Sequence, residues 1–289
     1  MSPAAVAETV RGWWFTPLPK GRIAWLRTLL YSFIFIDVFV TTAWVADHAG
    51  VPGDLYQPLF FGRILPMPTP TSGLITGVQI ALLIAAAVGA TNRFPRAAGI
   101  AVAVLYTEWM FIAMSYGKVD HDRFGFLVAL AVLPTVGAAR WGDKERTEAA
   151  GWAIRCIQVA VVATYFLAAF AKLRFGGPEW VNGATLMRAV LRRGTFIGDE
   201  LVNYPWILHM TQWLIMVFEL SSPLLLAPGK LGRFFLFFAV GFHLVTYAMI
   251  TIIFLPHIMC LLSFAPLEKL GSFWMRRRAR APASAPGGV

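Results

Sequence analysis

From Gly232 to Ala265 the chain is apolar for more than thirty residues. Such a run is too apolar for a soluble domain. It is also too long for one helix across a bilayer core of ~30 Å, which needs about 20 residues. A split between Thr251 and Pro256 yields two spans. Six more apolar segments precede it, at about 23–46, 73–90, 97–116, 124–139, 152–172 and 206–227. With 58% hydrophobic and 14% charged residues over 289 positions, the expected fold class is all-α: a polytopic integral membrane helical bundle of about eight transmembrane helices. The chain divides into an interfacial N-terminal segment (1–22), a transmembrane domain (23–268) and a basic tail (269–289).

The net charge of +10 lies mostly between spans and in the tail Arg276-Arg277-Arg278-Ala279-Arg280, a placement that suits anionic lipid headgroups and excludes nucleic acid as a partner. With basic turns at 91–96, 140–151 and 229–233 on one side, eight spans bring the tail to that side as well. The expectation is a multi-pass protein of the cell (plasma or inner) membrane with both termini cytoplasmic. Residues 1–22, with Trp13, Trp14 and Phe15, suit the headgroup layer and read equally well as a frayed tail. The Ala- and Gly-rich span at 73–90 is expected inside the bundle, since small residues let helices approach closely. Val181–Leu191 reads as a short interfacial helix within the longest connection, 173–205.

Polar and ionisable residues at or near span depth are costly and point to function or to pairing. They are Asp37, Glu108, the Asp120-His121-Asp122 group, Lys172, Glu219 and His243, followed by Gln212 and His257. Taken singly, each reads equally well as a paired residue that fixes helix register. Lys172 is distinctive because Gly176-Gly177-Pro178 turns the chain back toward Trp180 and tucks the amine beneath its own loop, where it is a candidate base. His121 lies between two carboxylates. His243 stands mid-span, with Tyr247 four residues on as its expected hydrogen-bond partner. Cys156 and Cys260 read as small core residues. No HExxH, CxxC or clustered carboxylate pattern occurs, so no metal is expected.

The order of these motifs is familiar. Tyr165-Phe-Leu-Ala-Ala-Phe-Ala-Lys172-Leu173, then Trp180-Val-Asn-Gly183, resembles the segment of vitamin K-dependent gamma-carboxylase that carries its catalytic lysine. Arg27 with Asp37, Asp120-His121-x-x-Phe124, and Phe242-His243 followed by Phe264-Ala265-Pro266 resemble further motifs of that family. The similarity covers about residues 20–268 and belongs to the bacterial branch of HTTM (horizontally transferred transmembrane) proteins, without the large lumenal part of the animal enzyme.

The resemblance implies that Lys172 is the base that deprotonates a reduced quinone, such as a menaquinol or a vitamin K hydroquinone, and that His121 stabilises the product. Asp120, His243, Tyr165 and Trp180 are the candidate cofactor-binding residues. Oxygen and carbon dioxide are the implied co-reactants in a carboxylase (lyase) or quinol-oxidising reaction, with a peptide or protein substrate or partner supplied by another chain. Asp120 stands where the family has asparagine, and its carboxylate should disfavour a bound hydroquinone anion unless it pairs with Arg123 or Lys118. The alternative is a non-enzymatic membrane binding, immunity or assembly protein that keeps the fold without the chemistry. Transport along Asp37, Glu108 and Glu219 is a weaker third reading, because no span shows a broken-helix pair.

Overall fold

A computed structural model describes residues 2–64 and 67–270. The tail arginines at 276–280 lie outside the described residues. The helices are α1 (Pro3–Trp14), α2 (Lys20–Ile36), α3 (Phe60–Ile64), α4 (Ser72–Ala90), α5 (Ala97–Met114), α6 (Phe124–Val132), α7 (Glu148–Gly176), α8 (Ala184–Arg193), α9 (Phe196–Leu201), α10 (Pro205–Leu220), α11 (Gly229–Ile250) and α12 (Leu255–Leu261). All eight apolar segments are helical. Among the described residues, however, 5 are long and apolar enough to cross a membrane: Lys20–Thr41, Ser72–Ala90, Ala97–Met114, Glu148–Gly176 and Gly229–Ile250.

The other three are shortened by their own sequences. Pro134 tightens the end of α6 into the 3₁₀ turn Leu133–Val136, and Pro223 does the same after α10 in Ser222–Leu226. The break placed between Thr251 and Pro256 is real: α11 ends where Thr251 turns left-handed, at φ 55, and α12 starts at Leu255.

The core runs along α2, whose Ile23, Leu26, Leu30, Tyr31 and Ile34 are fully buried and which packs against α4, α7 and α12. The expectation for 73–90 needs correction. α4 lies at the periphery, with Ile80 54% and Ile84 61% exposed. Its small residues serve one face only, and at Gly89 a methyl group would meet the Tyr31 ring at 2.7 Å. Close approach to α2 requires small residues on that side, while the outer side stays free to meet lipid.

Polar ties gather at one end of the bundle. Arg27, fully buried, donates to the Gly137 carbonyl at 2.8 Å and the Leu133 carbonyl at 2.7 Å, so it closes the frayed end of α6. Asn92 reaches the Ala24 carbonyl, Lys20 pairs with Glu145 at 2.8 Å, and Leu18–Pro19 pairs antiparallel with Arg146–Thr147. This is the end carrying the basic turns. Open depressions of about 530 and 730 Å³ lie here, lined by Lys20, Arg93, Arg96 and Arg140.

Asp37 does not belong to Arg27. It opens a π-helical turn, Asp37–Thr41, and both its oxygens accept from Arg123 at 2.7 Å. The Tyr106 hydroxyl donates to it at 2.8 Å and Thr41 also bonds to it.

Candidate functional site

Helix α7 begins at Thr147, whose hydroxyl accepts from the Ala150 N–H. Its 29 residues give a length of about 44 Å, so its last turns reach beyond the apolar core. They carry Tyr165 and Lys172, which are seven positions apart and therefore on one face. Helix α10 presents a matching pair at the same spacing, Gln212 and Glu219, both buried.

The two faces meet. The Lys172 ammonium donates to both carboxylate oxygens of Glu219, and its nitrogen lies 5.1 Å from the centre of the Trp180 ring. Gly177, at φ 66, ends α7 and starts the turn Pro178–Val181 that brings Trp180 back over Lys172. Gly183, at φ 90, then starts α8, and its left-handed backbone suits glycine. Gln212 holds this roof from below. Its amide donates to the Trp180 carbonyl, and its oxygen accepts from the Leu186 N–H at 3.2 Å.

Deeper along α7, the Tyr165 hydroxyl lies 2.7 Å from His243 Nε2. The Tyr165 ring meets His257 edge-on at 4.5 Å, and His243 and His257 are 5.5 Å apart, centre to centre. Phe218, Phe242 and Phe254 wall the group. His243 Nδ1 and both nitrogens of His257 are buried with no hydrogen-bond partner among the described residues. With Tyr165 donating to Nε2, Nδ1 of His243 carries the proton and is an unused donor, an assignment inferred from the hydrogen bond. His257 adds one donor and one acceptor.

His121 is exposed, in the 3₁₀ turn His121–Arg123, which packs against α12. It lies within electrostatic reach of both Glu219 and His257. In the same turn, burial holds the Asp122 carboxyl above the ordinary carboxylate range, opposed by Arg123 and His121 and reinforced by Asp120.

Of the predicted residues, the fold thus joins Lys172 with Trp180 and joins Tyr165 with His243, while His121 stays exposed in its turn. Asp120 pairs with Lys118 at 2.8 Å, one of the two partners the sequence offers it. Tyr247, the expected partner of His243, is 50% exposed, and Tyr165 from α7 takes that place. The sequence marks Glu219, His257 and Gln212 as polar residues at span depth but assigns none of them to the site. The seven-residue spacing of Gln212 and Glu219 on an otherwise apolar helix, matching Tyr165 and Lys172, is the signal that finds two of them. Among the described residues no group of three or more His, Cys, Asp or Glu is placed to hold a metal.

A family model for the HTTM domain matches residues 15–267. The chain belongs to the HTTM family. That match relates this HTTM protein to the vitamin K-dependent carboxylases and makes it a multi-pass membrane protein. No curated protein and no solved structure matches it.

Proposed function

We propose that this HTTM protein binds a reduced quinone between Lys172 and the Tyr165–His243–His257 group and uses Lys172 as a base in oxygen-dependent chemistry of the epoxidation and carboxylation type. The observation that carries the reading is the set of three buried imidazole nitrogens with no partner among the described residues, beside aromatic walls and one lysine. Buried polar groups of this kind need a ligand or water to complete them, and a flat headgroup with two oxygens fits donors, acceptors and rings together. When bound, a reduced quinone supplies an ionisable hydroxyl and two electrons for oxygen.

The protein's part is to move a proton and hold charge. Lys172 rests as the ammonium of an ion pair, so the loop-buried amine expected from the sequence becomes a base only after one proton crosses to Glu219. That transfer leaves a neutral amine and a neutral acid, with no net charge moved through the apolar surroundings. Trp180 covers one side of the amine, and Gln212 holds that roof in place. His121 stabilises negative charge at the open side. Carbon dioxide and a peptide or protein substrate, in this reading, come from outside the chain.

The test uses purified protein in lipid nanodiscs with a reduced menaquinone and oxygen, with quinone epoxide measured by mass spectrometry. Epoxide is expected from the natural chain and not from Lys172→Ala. No turnover in the former, or full turnover in the latter, refutes the mechanism.

The Lys172–Glu219 pair also favours a second reading, in which the pair is structural and the protein is a non-enzymatic membrane binding or assembly factor. In that case Lys172→Ala/Glu219→Ala cells keep their phenotype.

A further inference from the structure

The segment that roofs the candidate site has an outer surface that the proposed chemistry does not use. On α8, Leu186, Met187, Ala189 and Val190 pack inward against Leu208, Met249 and Ile250. The segment is pinned there by Thr195, whose N–H and hydroxyl donate to the Met249 and Ala248 carbonyls. The outer face carries Arg188, Leu191 and Arg192, a leucine that is 71% exposed between two exposed arginines.

Arg188, Arg192 and Arg193 make no hydrogen bond or ion pair within the described residues, although Glu179, Asp199 and Glu200 are in the same connection. The helix dipole favours Arg192 and Arg193 in the last turn, but it accounts for neither Arg188 nor Leu191. Flanking this helix, Phe175 is 83%, Phe196 84% and Trp206 67% exposed.

We propose that α8, with Phe175 and Phe196, binds the anionic headgroup layer of the membrane. Arg188, Arg192 and Arg193 take lipid phosphates, and Leu191, Phe175 and Phe196 enter the acyl boundary. Unpaired cations interleaved with large, exposed apolar side chains are satisfied together only where phosphate and hydrocarbon adjoin. An acidic peptide would use the arginines and leave both phenylalanines in water. Because Gln212 bonds both Leu186 of α8 and the Trp180 carbonyl, lipid held here also steadies the roof over Lys172.

This surface is independent of the quinone reading, and its test involves no turnover. The purified full chain in mixed micelles is titrated with phosphatidylglycerol or phosphatidylcholine, and retained lipid is counted by native mass spectrometry. Phosphatidylglycerol is expected to be preferred. Arg188→Gln/Arg192→Gln/Arg193→Gln is expected to weaken that preference by about fivefold per charge removed, whereas Arg93→Gln/Arg96→Gln at the opposite end leaves this component in place. Leu191→Ser/Phe196→Ser is expected to lower retention of both lipids alike. Thermal unfolding checks that each variant folds. An unchanged preference in the triple variant overturns the proposal, as does retention unaffected by Leu191→Ser/Phe196→Ser. Displacement of the lipid by hexaglutamate assigns the surface to an acidic protein partner instead, and displacement by millimolar inorganic phosphate assigns it to a free anion.

Discussion

The Asp37–Arg123 and Lys172–Glu219 pairs are both buried carboxylate–cation contacts, but their surroundings differ. Around Asp37, both oxygens are shared among Arg123, Tyr106 and Thr41, and the side chains of Asp37 and Arg123 are 0% and 6% exposed. Around Lys172 the side chain is 24% exposed, and in the adjoining group three imidazole nitrogens have no partner among the described residues. A completed network locks α2, α5 and the 121–123 turn into one register. An incomplete one keeps polar groups available for something that is not part of the chain. Burial of charge is common to both pairs; the difference is that buried imidazole nitrogens without a partner among the described residues adjoin the second pair only.

The largest effect should come from opening the completed network. Arg123→Met strands the Asp37 carboxylate and is expected to cost about 3–5 kcal/mol, seen as a lowered thermal unfolding midpoint in detergent. Asp37→Leu/Arg123→Met should regain most of it. Equal losses in the single and double variants would show that the pair does not hold the register.

Lys172→Met strands Glu219 in the same way, but beside an open edge, so the expected loss is smaller, about 1–3 kcal/mol. Lys172→Met/Glu219→Leu should recover stability while quinol turnover stays absent. Recovery of both would make the second pair structural like the first.

His257→Phe removes two unpartnered nitrogens and should change ligand-free stability by less than about 1 kcal/mol, while weakening reduced-quinone retention in nanodiscs. A loss of several kcal/mol without ligand would mean that water already completes the group.

The smallest effect concerns an ion pair away from both networks. Burial raises the Glu268 carboxyl, but two hydrogen bonds from Arg22, each 2.8 Å, outweigh it and leave Glu268 below the ordinary carboxylate range. A lowered carboxyl contributes stability above its unfolded value, and that contribution is lost as pH falls through its folded value. The clamp should therefore loosen below about pH 4, by less than about 1 kcal/mol. Unfolding midpoints measured at neutral and acid pH in Glu268→Gln should lack that step.

Much of the fold is legible in the sequence because apolar length and Pro or Gly breaks act locally. The division at Thr251, the turn after Lys172 and the short helix near 181–191 all follow from residues within a few positions of one another. The position of α4 does not, since a small-residue face reads the same whether the helix is central or lies at the rim with its other face in lipid. Within the site, Lys172, Trp180 and the Tyr165 segment are visible as motifs. The partners are not: Tyr165 is 78 residues from His243 and Lys172 is 47 from Glu219, and a helix pairing at that separation leaves only the matched seven-residue spacing on each strand of sequence.

By itself, then, the sequence determined a helical membrane protein of the HTTM family and the lysine beneath a Gly-Pro turn, because bilayer thickness and backbone breaks constrain residues one segment at a time. Only the tertiary structure decided which carboxylate faces which cation, that Asp120 turns to Lys118, and that His243 and His257 stand together behind Tyr165. Those outcomes depend on how α7, α10, α11 and α12 rotate against one another, and side chains on different helices meet only once that packing is fixed.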